Sequence, residues 1–136
     1  MEDQSGSTSL AEYAAQTTTG ACRERNEDAF GVFEQSEVFV VADGCGGPSS
    51  GRSADELTIA RFADLDAARD FGISEADPLA LAVLTANADV FRGGQTNAEL
   101  KGQGATLCAV RVSPAAVSVV HVGDCRVGRF RTGRLD

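Results

Sequence analysis

Two short apolar runs, residues 29–33 and 38–42, stand only four polar residues apart, and this spacing most constrains what the chain can fold into. A connection of that length joins antiparallel strands, whereas parallel neighbours need a crossover of a dozen or more residues. The second run, Val38-Phe39-Val40-Val41-Ala42, is apolar at every position, which predicts a strand buried on both faces. It delivers Asp43 at its carboxyl end, and Gly44, Gly46, Gly47 and Pro48 then break regular structure.

The flanking segments extend this pattern. Residues 13–21, rich in threonine and small side chains, predict a first strand ending at Gly20, and residues 23–28 are a charged turn. Ser53 with Glu56 makes a capping box for a helix toward Phe71, with Ile59, Phe62 and Ala63 on its inner face. Asp77 followed by Pro78 reads as N-cap and first helical position, and Gly93-Gly94 as a stop, which predicts a helix over 79–92. Its two apolar stripes predict contacts on more than one side. Strands are expected at 105–112, 117–122 and 126–131. Strands, helices, then strands again, with hairpin-length connections in both strand groups, give an α+β class of antiparallel β-sheets packed with helices. Residues 1–12, polar and acidic, are expected to be a disordered leader ahead of a domain over 13–136.

Composition narrows the partners. A chain of 136 residues with 43% hydrophobic content suits one domain with its own core. The net charge is -8 with a single lysine, Lys101, which argues against nucleic acid, since phosphate neutralisation needs clustered cations. No apolar run approaches the ~20 residues of a membrane span, and the start lacks a signal peptide's basic flank, so no membrane partner and a cytoplasmic location are expected. The four cysteines show no C-x-x-C pair and His121 is the only histidine, a pattern of free thiols and not of zinc.

Two acidic features carry chemical interest: Asn26-Glu27-Asp28 in the charged turn, and Asp43-Gly44 at the end of the apolar strand. Taken alone, Asp-Gly is a turn signal. At the mouth of a buried sheet, however, two carboxylates brought close repel unless a cation compensates. Oxygen ligands without histidine or cysteine favour a hard ion, Mg²⁺ or Mn²⁺. Arg23, in the same turn, is either a solvated surface arginine or a guanidinium that grips a phosphate. Asp124, in Val122-Gly123-Asp124-Cys125-Arg126, is either a hairpin-turn acceptor or a functional acid. Cys45 lies among acids that disfavour a thiolate, and His121 reads as a packed or edge residue. P-loop, G-x-S-x-G and aspartyl-phosphate patterns are absent.

Four segments in order, Gly20-x-x-Arg23-x-x-Asn26-Glu27-Asp28, Val41-Ala42-Asp43-Gly44-Cys45-Gly46-Gly47, Gly102-x-Gly104-Ala105-Thr106-Leu107 and Val122-Gly123-Asp124-Cys125-Arg126, resemble the successive motifs of bacterial type 2C metal-dependent serine/threonine protein phosphatases. The resemblance covers nearly everything from Tyr13 to Leu135. It implies a helix-flanked sandwich of two antiparallel sheets, here in part, and hydrolysis of phosphoserine and phosphothreonine in proteins by a metal-activated water. It implies that Asp43 bridges two Mn²⁺ or Mg²⁺ ions, that Gly44 lends its carbonyl, that Glu27 and Asp28 hold a metal or its waters, that Arg23 binds the substrate phosphate, and that Asp124 helps hold a third, looser metal. The implied partners are phosphorylated proteins and a cognate serine/threonine kinase. Cys45 stands where the family usually has methionine or histidine, and Cys125 where it usually has serine. The family's later Asp-Gly and Asp-Asn motifs lie beyond Asp136, so the chain is expected to be an amino-terminal portion with little or no activity alone. A non-catalytic phosphoprotein-binding or regulatory module on the same scaffold is the alternative.

Overall fold

The first element of the computed structural model, which describes residues 1–46, 54–68 and 77–136, is a strand and not a frayed leader. β1 (Glu2–Ser7) pairs antiparallel with β2 (Glu12–Thr17), from Glu2 opposite Thr17 to Ser7 opposite Glu12. Every residue of β1 is exposed, so backbone hydrogen bonds, which need no apolar side chains, hold it. The turn between the strands is pinned from outside. Thr8 and Ser9 both donate hydrogen bonds to the Glu37 carboxylate, which is buried in the loop between the next two strands. β2 ends at Thr17, short of the Gly20 expected from sequence.

β3 (Asp28–Phe33) and β4 (Val38–Cys45) form the expected hairpin, and β5 (Gly104–Val112) and β6 (Val117–Val122) complete a four-stranded antiparallel sheet in the order β3-β4-β5-β6. Both helices cover the same face of this sheet, although the sequence predicted a β4 buried on both. α1 (Ala54–Ala68) packs on β3, β4 and β5, and α2 (Pro78–Thr96) packs on α1 and β5. Val38, Val40 and Ala42 therefore point into a core with Phe33, Phe62, Leu79, Ala82, Leu107 and Ala109. Val41, on the other face, is 48% exposed, and Phe39 there meets the Tyr13 ring at 5.6 Å. Coverage by one helical layer leaves odd positions of β4 open, whatever their hydrophobicity.

The same one-sidedness corrects the helices. Phe62 is buried and Ile59 packs against the core, but Ala63 is exposed. Only Leu79, Ala82 and Ala86 of α2 are buried, while Leu84 and Phe91 on its second stripe are exposed. The expected Ser53 cap falls outside the described residues; the Asp77 cap is present, accepting a 2.9 Å bond from the Leu79 amide. α2 runs past Gly93-Gly94 because those glycines serve packing: a Cβ on Gly94 would lie 3.2 Å from the Leu100 carbonyl oxygen. Asn97 ends the helix instead: its N–H donates to the Gly93 carbonyl, and its side-chain oxygen accepts from the Glu99 amide of the 3-10 turn Ala98–Leu100. The strand expected over 126–131 shrinks to β7 (Phe130–Arg131), paired with β8 (Arg134–Leu135) in a small hairpin of its own. Two hydrogen bonds between the Arg129 and Asp136 backbones, together with an ion pair of their side chains, close this hairpin, a sheet separate from that of β6.

Candidate active site

Register places the acids. Asp28 begins β3 directly opposite Asp43 on β4, and both lie on the face away from the helices. The turn before Asp28 is fixed locally: the Asn26 side chain accepts from the Asp28 amide at 3.2 Å and donates to Thr17 Oγ1 at 2.8 Å, tying the turn to β2. Asn26 thus positions its neighbours as an Asx-turn. Glu27 is brought to the end of β4 by its own backbone, whose carbonyl accepts the Gly44 N–H at 2.8 Å. Arg23 reaches Glu27 at 3.6 Å.

These residues line one cleft of about 360 Å³, formed by Arg23, Asn26, Glu27, Asp28, Asp43 and Gly44 together with neighbouring turn residues. Partial desolvation, the charge of the facing Asp43 carboxylate and a hydrogen bond with it push the Asp28 carboxyl above the usual aspartate range; Asp55 adds to this and Arg23 opposes it. Five of the six sequence-predicted residues, Arg23, Glu27, Asp28, Asp43 and Gly44, are therefore neighbours. Asp124 is not with them. It is exposed in the turn after β6, and by the register of β5 and β6 it follows the residue beside Thr106, the partner of Asp43. That puts it two strands from Asp43, about 10 Å at the usual strand spacing. Cys125 instead meets Thr106 Oγ1 through its sulfur at 3.0 Å, and all four cysteines are free thiols. His121 is an exposed residue of the edge strand β6.

Sequence reasoning missed Asp55. It lies in the first turn of α1, where an acid ordinarily serves the helix dipole, and so carries no signal of its own. In the fold it is 4% exposed, and its Oδ1 has no hydrogen-bond partner. A Cβ on Gly44 would stand 2.9 Å from that oxygen and 3.0 Å from the Glu27 carbonyl oxygen, so a side chain there would crowd both.

The donors fit a hard divalent cation in kind: carboxylate and carbonyl oxygens, three acids (Glu27, Asp28 and Asp43) against two arginines (Arg23 and Arg25) in the cleft, and a buried acceptor left unsatisfied beside it. Among the described residues no group of three or more His, Cys, Asp or Glu is placed to hold an ion. A pair such as Asp28 and Asp43 suits an ion that keeps most of its water, as Mg²⁺ does when bound through one or two carboxylates.

Known proteins resemble the chain in sequence and in fold. No family model matches the chain. It is 34% identical over 128 residues to the serine/threonine protein phosphatase PstP of Mycobacterium tuberculosis, an alignment covering 94% of this chain and 24% of that protein. It is 29% identical over 116 residues to the serine/threonine phosphatase stp of Listeria monocytogenes, covering 81% of this chain and 46% of that protein. Among solved structures, the catalytic domain of PstP in complex with two manganese ions superposes with a TM-score of 0.72 at 28% identity, over 98% of this chain and 52% of that one. A bacterial serine phosphatase gives a TM-score of 0.77 at 26% identity, over the whole of this chain and 53% of that one. Over most of its length the chain is similar to bacterial serine/threonine phosphatases. It spans about a quarter to a half of the length of the curated relatives it matches. The α+β class with antiparallel sheets is that of these phosphatases.

Proposed function

We propose that the chain forms the Arg23/Glu27/Asp28/Asp43 side of a site that hydrolyses phosphoserine and phosphothreonine in proteins with the help of Mn²⁺ or Mg²⁺. The observation that carries this reading is Asp28 facing Asp43 across the β3–β4 ladder, with Glu27 and Arg23 in the same cleft. Asp28, Asp43 and the Gly44 carbonyl are the groups that would hold the cation, with Glu27 oriented toward its waters. The chemistry the ion supplies when bound is Lewis acidity, toward water as nucleophile and toward the phosphoryl oxygens. Asp43 and Asp28 supply the negative charge that retains it. Arg23 supplies phosphate recognition: its ion pair with Glu27 is solvent-exposed, is worth well under about 1 kcal/mol, and yields readily to a dianion that offers two oxygens. Asp124, two strands away, is proposed for a separate and looser cation. Phosphorylated proteins are the proposed substrates, a serine/threonine kinase the counterpart, and the cytoplasm the proposed location.

The test is Mn²⁺ titration of the chain, with hydrolysis of a phosphothreonine peptide as second readout. The expected result is saturable uptake that Asp43→Asn abolishes, with little turnover by the chain alone. Uptake indifferent to Asp43→Asn refutes the reading. A second reading, a phosphoprotein-binding module, is favoured by the absence, among the described residues, of any group of three or more His, Cys, Asp or Glu placed to hold an ion. Peptide binding that depends on Arg23 but not on Mn²⁺ would select it.

A further inference from the structure

Asp55 is a buried carboxylate whose environment leaves it incomplete. A desolvated acceptor without a donor is costly, the more so when charged, so such a group calls for a partner in the form of a water or an ion. The geometry around it is specific. Asp55 Oδ1 and the Glu27 carbonyl oxygen converge on the same point beside Gly44, at 2.9 Å and 3.0 Å from where a Cβ would stand. Two acceptors meet there, and the one N–H at hand, that of Gly44, is already given to Glu27. Asp43 approaches the same residue from the open face of the sheet, while Asp55 approaches from the helix face. Asp55 and Asp28 also line a common depression together with Asn26. No basic side chain is ion-paired with Asp55, Asp28 or Asp43 among the described residues.

We propose that Asp55 is a positioning carboxylate of the divalent-cation site, its unpartnered buried oxygen completed by the hydrated ion that Asp28, Asp43 and Gly44 hold. The inference rests on the metal-dependent reading given above and deepens it: the chain carries a fourth acid behind Gly44, against the space that a Cβ there would fill. Asp55 does not touch the reacting phosphate. It holds the Gly44 backbone and the water shell of the cation in place.

The experiment measures free Mn²⁺ by the electron paramagnetic resonance signal of the hexa-aquo ion, in titrations of the wild-type chain and of Asp55→Asn, Asp55→Ser, Asp43→Asn and Glu56→Gln. Thermal midpoints are recorded with and without Mn²⁺. Loss of an outer-shell partner typically weakens metal affinity 10–100-fold. The expected result is therefore at least a tenfold weaker Mn²⁺ affinity in Asp55→Asn, with the midpoint of the metal-free chain unchanged or raised and the Mn²⁺-induced shift reduced. Glu56→Gln, an exposed acid one residue along the same helix, should bind as wild type. A merely structural Asp55 would lower the metal-free midpoint and leave affinity alone. Asp55→Ser, which vacates the space without a charge, gives the same answer should the asparagine variant fold poorly. Affinity within twofold of wild type in either variant, alongside loss in Asp43→Asn, overturns the role of Asp55 and leaves the phosphatase reading standing. A wild-type chain that takes up no Mn²⁺ at millimolar concentration overturns both.

Discussion

Replacing Asp28 by asparagine should stabilise the metal-free chain at neutral pH, although it removes an acid of the proposed site. Asp28 and Asp43 are direct cross-strand partners, a placement that sets Cβ atoms about 5 Å apart. Two unit charges at ~5 Å repel by about 3 kcal/mol at an effective dielectric of 20 and by about 0.8 kcal/mol in water. Both side chains are exposed, so the screened end of that range applies, and the expected gain is about 0.5–1 kcal/mol. The sign with pH is fixed by the direction of the shift. Asp28 is raised in the folded state, so its contribution is fully present below the unfolded aspartate value and is lost as pH rises through the raised folded value. The advantage of Asp28→Asn is therefore largest at pH 7 and vanishes near pH 3, where the wild-type carboxyl is already protonated. Mn²⁺ should reverse the order, because a ligand that binds only the folded wild type stabilises it by RT ln(1 + [L]/Kd). Urea unfolding at pH 7 and pH 3, each with and without Mn²⁺, measures all four cases. A metal-free Asp28→Asn chain that is less stable than wild type at pH 7, or an advantage equal at both pH values, would refute the repulsion argument.

Three further outcomes follow from particular contacts. Gly123→Ala should destabilise by about 1–3 kcal/mol in urea unfolding, since Gly123 has φ +83° and a Cβ there would stand 2.6 Å from Thr106 Cγ2. Phe62→Ala, at a side chain 1% exposed beneath β3 and β4, should cost about 3–5 kcal/mol by the same measurement. Glu37 is held below its usual range by hydrogen bonds from Ser9 and Thr8, so it stabilises the fold above the unfolded glutamate value and loses that contribution as pH falls through its lowered value. Glu37→Gln should accordingly flatten the acid limb of the stability curve and increase amide exchange in β1 and β2. An acid limb unchanged by this substitution would show that the turn at Thr8 is not anchored there.

The layer order was legible in the sequence because hairpin-length gaps, caps and glycine stops are local signals, and each names its neighbour. Coverage was not. An apolar run such as 38–42 states that a strand can be buried, but which face meets helices depends on elements far away in the chain, and here both helices chose one side. Glu37 and Asp55 illustrate the same limit for single residues. A glutamate in a polar loop and an aspartate in a first helical turn look solvated, and both are buried only because distant segments, Thr8-Ser9 in one case and Gly44 in the other, close over them. The acids of the site proper were easier to find, since Asp28 and Asp43 sit at strand ends whose pairing the loop length dictates.

That dictation links the core to the chemistry. Side chains alternate along a strand, so once Val38, Val40 and Ala42 are committed to the helices, Asp43 must face away from them and Gly44 must face them. A one-residue slip of the β3–β4 register would turn every one of these over and bury Asp43 under α1, at a cost far above that of any surface contact. The hydrophobic pattern therefore does more than stabilise the sheet: it fixes which carboxylate meets Asp28 in the cleft. It also brings a residue with no side chain against Asp55, so the open and the helix-covered acids address the end of β4 from opposite faces.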